Sequence, residues 1–168
     1  SADMVVSNGD LVHSYGLLHG SGYAARRARS LRKKRFSPSL FVVHFGVHGS
    51  FPEIAHHSIL FSDRYKPLLD DIYEHGRLAE DPSLYVYHPS KNDPGMAPRG
   101  KSVFYALAPV PHLGRAGIDW KVEGPRYRQT LLRRVRDLLI PDLEDRMDIC
   151  FHYTPNDFAD DLGAYMGN

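Results

Sequence analysis

Several groups of residues in this 168-residue chain have types and spacings that invite chemistry. Gly20-Ser21-Gly22-Tyr23-Ala24-Ala25 fits G-x-G-x-x-A, the loop whose glycines let a backbone approach a dinucleotide pyrophosphate. That mechanism needs a buried strand just before the first glycine, and an acid about 20 residues later for the ribose hydroxyl. Here His13-Ser14-Tyr15-Gly16-Leu17-Leu18-His19 precedes it, and no acid stands between Asp10 and Glu53. The stretch therefore reads as a loop. The chain has ten histidines. His56 and His57 are adjacent and point to opposite faces of a strand, which is poor geometry for one ion. His44 and His48 straddle a strand end with no Glu between them, so the helical zinc-protease pattern is absent. No metal site is expected. Asp70-Asp71, Glu80-Asp81 and Asp160-Asp161 are sequence neighbours that do not converge on one point, so they read as helix ends or loop charges. There is no G-x-S-x-G elbow, and Cys150 lies in an apolar run as a core residue. No catalytic residue emerges.

Residues 24–35 concentrate Arg26, Arg27, Arg29, Arg32, Lys33, Lys34 and Arg35. Such a run fits anionic lipid headgroups or a solvated face. Single-stranded nucleic acid would call for interleaved aromatic platforms, and none follows the run until Phe36. The net charge of +1 also supplies no global field for nucleic acid. One cysteine rules out a disulfide within the chain and fits a reducing compartment. No apolar run reaches the roughly 18 residues of a membrane-spanning helix, and the opening lacks a basic segment followed by an apolar one. These features lead to the expectation of a cytoplasmic protein. The chain starts Ser1-Ala2-Asp3-Met4 and passes at once into an apolar run, which reads as an internal boundary.

The elements that would position these residues follow from pattern. Residues 4–6 read as a short strand before the turn formers Ser7-Asn8-Gly9-Asp10, and residues 11–28 as partly helical. Residues 40–47 carry the strongest strand signal, with further strands at 58–61, 84–87, 102–110 and 148–153. Helical spacing appears over 66–75, stopped by Gly76, and from Pro125 along Tyr127, Leu131, Val135 and Leu138–Leu139 to Pro141. A short helix over 156–165 has Thr154 or Asn156 as its cap. The strands at 40–47 and 58–61 are too close for a helical crossover and are expected to run antiparallel. The result is an α+β fold, a mixed and mostly antiparallel sheet with helices on one face.

The strands are unusually aromatic: Phe41, Phe45, Phe61, Tyr85, Tyr87, Phe104, Tyr105, Phe151 and Tyr153. Alternation divides them between two faces. One face packs on the helices. The other either lines an apolar groove suited to a long hydrocarbon or is covered by further protein.

Six segments, in order, resemble the bacterial phytoene desaturase family. They are residues 2–10, Ala55-His56-His57-Ser58-Ile59-Leu60-Phe61, Leu78-Ala79-Glu80-Asp81-Pro82-Ser83-Leu84-Tyr85, residues 105–114 containing Ala108-Pro109-Val110-Pro111-His112-Leu113-Gly114, Asp119-Trp120-Lys121-Val122-Glu123-Gly124-Pro125, and residues 151–168 containing Thr154-Pro155-Asn156-Asp157-Phe158. The resemblance implies an internal piece of a longer, two-domain, FAD-dependent flavoenzyme of amine-oxidase type that desaturates the C40 polyene phytoene. It implies a segment over 1–36 returning from the FAD domain and a substrate-binding domain over 37–168. Ser7, Asn8 and Gly167 are expected near the flavin, and Phe45, Tyr85, Tyr105 and Phe151 near the polyene. It further implies contact with a membrane as a peripheral protein, no nucleic acid, and neither FAD binding nor activity by this piece alone. Another carotenoid oxidoreductase (a 3,4-desaturase, isomerase or ketolase) and a non-enzymatic lipid-binding module are the competing readings.

Overall fold

Two ten-residue strands build the centre of the molecule, residues 101–110 with alternating burial and residues 39–48 buried on both faces along most of their length. The computed structural model describes residues 2–18 and 20–168. Helices α1 (Leu11–Leu17) and α2 (Gly22–Leu31) come first, capped by the Asp10 carboxylate and the Ser21 hydroxyl. The central strand β1 (Ser39–His48) follows, then β2 (His57–Leu60). Helix α3 (Tyr65–Asp70) continues into a π turn, Asp71–His75, and ends at left-handed Gly76. Next are β3 (Leu84–Tyr87), β4 (Lys101–Val110), the long α4 (Trp120–Leu138), α5 (Leu143–Arg146), β5 (Met147–Tyr153) and α6 (Pro155–Leu162).

The sheet order is β2-β3-β4-β1-β5 and every pairing in it is antiparallel. β1 and β4 pair along their whole length, from Ser39 opposite Val110 to His48 opposite Lys101. β1 and β2 run antiparallel as expected but are not neighbours, because β3 and β4 lie between them. The ten-residue apolar β4 offers β1 a far longer partner than four-residue β2.

Residues 4–6 form no strand: Met4, Val5 and Val6 are 81–88% exposed. An apolar run becomes a strand only where a sheet edge accepts it. α4 begins five residues before Pro125, because the Asp119 carboxylate accepts the Lys121 N–H and caps the helix there. Pro125 therefore lies inside the helix, where it removes the bond its N–H would make to the Lys121 carbonyl. α6 starts at Pro155 through a capping box: the Thr154 hydroxyl accepts from Asp157 N–H, and the Asp157 carboxylate accepts from Thr154 N–H.

The core lies between one sheet face and α4. Phe41, Val43, Phe45 and Val47 of β1, with Phe104, Ala106, Ala108 and Val110 of β4, meet Trp120, Tyr127, Leu131 and Val135. Leu138, though on the apolar stripe, is 54% exposed because the helix ends there. Phe41 stacks on Trp120 and His152 and takes the edge of Tyr127, all with centroids within 5.7 Å. Each fully buried Phe or Leu contributes about 1.5–3 kcal/mol of transfer free energy. Gly124 lets α4 approach this closely: a Cβ there would sit 2.9 Å from His152 Nε2.

Candidate functional site

The second sheet face carries Val42, His44 and Gly46 of β1, Val103, Tyr105 and Leu107 of β4, Tyr85 and Tyr87 of β3, His57 and Ile59 of β2, and Ile149, Phe151 and Tyr153 of β5. Register brings these side chains into rows: His44 lies between Tyr105 and Phe151, and Tyr87 between Tyr105 and His57. The rings form a continuous strip across all five strands. His44 stacks on Phe151 at 5.0 Å and meets Tyr105 at 5.6 Å. Tyr105 meets Tyr87 at 5.1 Å and Tyr85 at 5.8 Å, and His57 stacks on Tyr87 at 5.0 Å. With strands about 4.8 Å apart, four intervals give a strip roughly 19 Å wide. Phe151 is 46% and Ile59 62% exposed, so the face is open at these positions, whereas at the Val42 end it is covered: Val42 is 7% exposed and Phe158 of α6 meets Tyr153 at 5.9 Å.

The centre of the strip, His44 and Tyr105, is neutral. Burial holds the His44 imidazole below its ordinary pKa, so it stays neutral. Burial first, and then the Tyr85 and Tyr87 hydroxyls, push Tyr105 up and keep its phenol protonated. One rim carries charge, where Asp148 meets Lys101 at 2.7 Å and His48 at 3.4 Å. His57 Nδ1 and the Tyr85 hydroxyl share a 2.6 Å hydrogen bond at the β2–β3 end. Among the described residues no cluster of three His, Cys, Asp or Glu side chains could hold a metal ion. The face therefore offers dispersion contacts and a dry surface to an apolar chain, not acid–base pairs.

Three of the four aromatic residues expected at such a surface, Tyr85, Tyr105 and Phe151, share this face. Phe45 does not. It is 1% exposed on the helix side, stacked on Phe104 at 5.4 Å. The parity of β1 explains the difference. Its odd positions from 41 to 47 are uniformly apolar and form the core, whereas its even positions include His44, Gly46 and His48. That mixed set marks the open face and points to His44, with Tyr87, Tyr153 and His57 added by register.

Ser7 and Asn8 lie exposed on the N-terminal arm, where the Ser7 and Ser14 hydroxyls are 2.9 Å apart. Gly167 is buried, with φ +72°, and a Cβ there would collide with the Pro155 carbonyl. The close backbone approach that this glycine permits is thus to α6 within the chain. Gly167 also accepts a hydrogen bond from the Ser39 hydroxyl. The two termini approach one another: the His13 ring of α1 lies against Gly163. Gly20 precedes α2 and Gly22 is its first residue, and α1 stands where a dinucleotide loop needs a strand. The described residues of this chain therefore do not fit a dinucleotide by that motif.

Fold and face together define an antiparallel α+β sheet, helix-covered on one side and presenting an aromatic strip on the other. No protein-family profile matches the chain. Over 100% of its length it is 50% identical to a lycopene-forming phytoene desaturase of a Paracoccus species. It is 42% identical over 98% of its length to the lycopene-forming enzyme of Pantoea ananas, and 40% identical over 99% to the neurosporene-forming enzyme of Rhodobacter capsulatus. The chain spans about a third of the length of these curated relatives. It belongs to the phytoene desaturase family.

Proposed function

We propose that this chain is the substrate-side sheet of an FAD-dependent phytoene desaturase, and that the C40 polyene lies along the open aromatic face. The observation that carries this reading is a partly open strip of rings, neutral at its centre, on a chain half identical, over its full length, to a lycopene-forming phytoene desaturase. FAD, held by the rest of a longer two-domain protein, supplies the electron acceptor for converting CH–CH to C=C. This chain's part is to bind and orient. Tyr85, Tyr105 and Phe151, joined by His44 and Tyr87, hold the polyene by dispersion and exclude water. Residues 37–168 form the substrate domain, and residues 1–36 return from the flavin domain. Ser7, Asn8 and the turn at Gly167 lie on the side toward the cofactor, which the contact between α1 and Gly163 supports. The protein works peripherally at a membrane, where its substrate dissolves, and no helix among the described residues is long and apolar enough to cross one.

The test is to incubate the full-length protein with FAD and phytoene-loaded liposomes, and to follow coloured polyenes by chromatography. Loss of phytoene with the appearance of desaturated products is expected. No product even with an added electron acceptor would refute the reading.

A further inference from the structure

The first two helices carry a surface that the open sheet face does not explain. α1 and α2 pack as a hairpin with Val12, Ala24 and Ala28 buried. Outside this small core the hairpin is both basic and greasy. Leu11, Leu17, Leu18 and Tyr23 are 58–61% exposed. Arg26, Arg27, Arg29, Lys33 and Lys34 are exposed and have no ion pair among the described residues. Of the remaining two cations, Arg35 makes a 3.9 Å contact to Glu74, and Arg32 lies over the Tyr165 ring. No acid interrupts residues 11–52. The acids beside the hairpin are Asp10, which caps α1, and Asp160 and Asp161, which share with Leu17 and Arg32 a groove between α1 and the C-terminal turn; the other cations of the run lie outside that groove.

We infer that the α1–α2 hairpin is the membrane-docking element: it lies on an anionic bilayer surface, with its arginines and lysines on the headgroups and its exposed leucines in the interface. Charge complementarity selects the partner, since each Lys or Arg near an anionic leaflet adds about 1 kcal/mol of attraction. Two copies meeting hairpin to hairpin would set these charges against one another, which disfavours a dimer through this face. Nucleic acid would leave the three leucines in water, and the aromatics that the described hairpin offers, exposed Tyr23 and half-buried Tyr15, meet edge to face at 6.5 Å and do not form a row of platforms for successive bases. The inference rests on the desaturase reading only for the substrate's location. Its test contains no substrate and no FAD, so its failure leaves the desaturation test untouched.

The experiment is co-sedimentation of the chain with vesicles of neutral lipid alone and with about a third anionic lipid, at low salt and at 0.5 M salt. Binding is expected only to the anionic vesicles and is expected to collapse at high salt, where screening acts within a few ångströms. The triple variant Arg26→Gln, Arg27→Gln, Lys33→Gln removes three exposed charges and is expected to weaken partitioning about a hundredfold at low salt. The double variant Leu17→Ser, Leu18→Ser is expected to weaken it roughly tenfold. Circular dichroism checks that both variants keep the wild-type fold. Equal binding to neutral vesicles, no binding, unchanged binding by the folded triple variant, or preferential binding to single-stranded RNA at the same salt would each overturn the inference.

Discussion

Replacing Phe45 and Phe151 separately by alanine tests the division of the sheet into a covered and an open face. A phenylalanine buries about 150–250 Å² when fully enclosed. Phe45 is enclosed, at 1% exposure against Phe104 and the underside of the helices. Its removal loses the whole transfer term and leaves a void, costing about 3–5 kcal/mol. For a chain of this size that lowers Tm by roughly 6–20 °C, at about 2–4 °C per kcal/mol. Phe151 already exposes 46% of its surface, so about 100 Å² remain to be lost, or at most about 2.5 kcal/mol at 25 cal/mol per Å². Its ring lies open to solvent and leaves no enclosed void, which reduces the loss to about 1–2 kcal/mol. Thermal and urea unfolding of the two variants should therefore differ by at least about 1 kcal/mol in ΔΔG, with Phe45→Ala the worse. In the full-length protein, Phe151→Ala should weaken polyene binding far more than its small stability loss implies. Equal destabilisation by the two substitutions would show that Phe151 is covered, and the open-face reasoning would fail.

Gly167→Ala should cost more than about 2 kcal/mol, because φ is +72° and the new methyl meets the Pro155 carbonyl; a urea midpoint close to wild type would contradict this. Asp81 accepts from the Ser62 hydroxyl at 2.9 Å, Asp63 N–H at 3.0 Å and the Arg134 guanidinium, tying the segments around β2 and β3 to α4. Asp81→Ala should cost about 2 kcal/mol by stranding these donors, and Arg134→Met added to it should cost little more, as a double-mutant cycle would measure. Burial lowers the pKa of His44, His88, His112 and His152, most directly by desolvating their charged forms. Between those lowered values and the unfolded value near 6.5 the unfolded chain binds more protons, so stability falls as pH drops through 6.5 and levels off below the folded values. The urea midpoint should thus be lower at pH 5.5 than at pH 7.5, and His88→Phe, which keeps the stack on Phe104, should remove part of the difference.

Much of the fold was legible because strand signals are local. Residues 84–87 match β3 and the other strands lie within about a residue of expectation, since runs of β-branched and aromatic residues bounded by turn formers specify a strand by themselves. The order β2-β3-β4-β1-β5 was not legible, because pairing is decided by strand length and by contacts distant in sequence. Residues 4–6 have a strand's composition but no edge to join. The start of α4 was hidden by Pro125, although Asp119 already stood as a cap before Trp120. Tyr85, Tyr105 and Phe151 were recognisable as a set by residue type, but Phe45 required parity. Counting alternate positions along β1 separates the all-apolar odd set from the even set that holds His44. The neutral state of His44 depends on burial among Phe151, Tyr105 and Tyr153, which come together only through register.

The most direct test of the proposal that the aromatic face bears the polyene is photolabelling of the full-length, FAD-supplied protein with a diazirine-bearing C40 polyene, followed by peptide mapping. Adducts should fall on His44, Tyr85, Tyr87, Tyr105 and Phe151, with Phe45 and Phe104 unlabelled. Adducts concentrated on α4 and the helix-covered face, or absent from residues 39–168 altogether, would contradict the account.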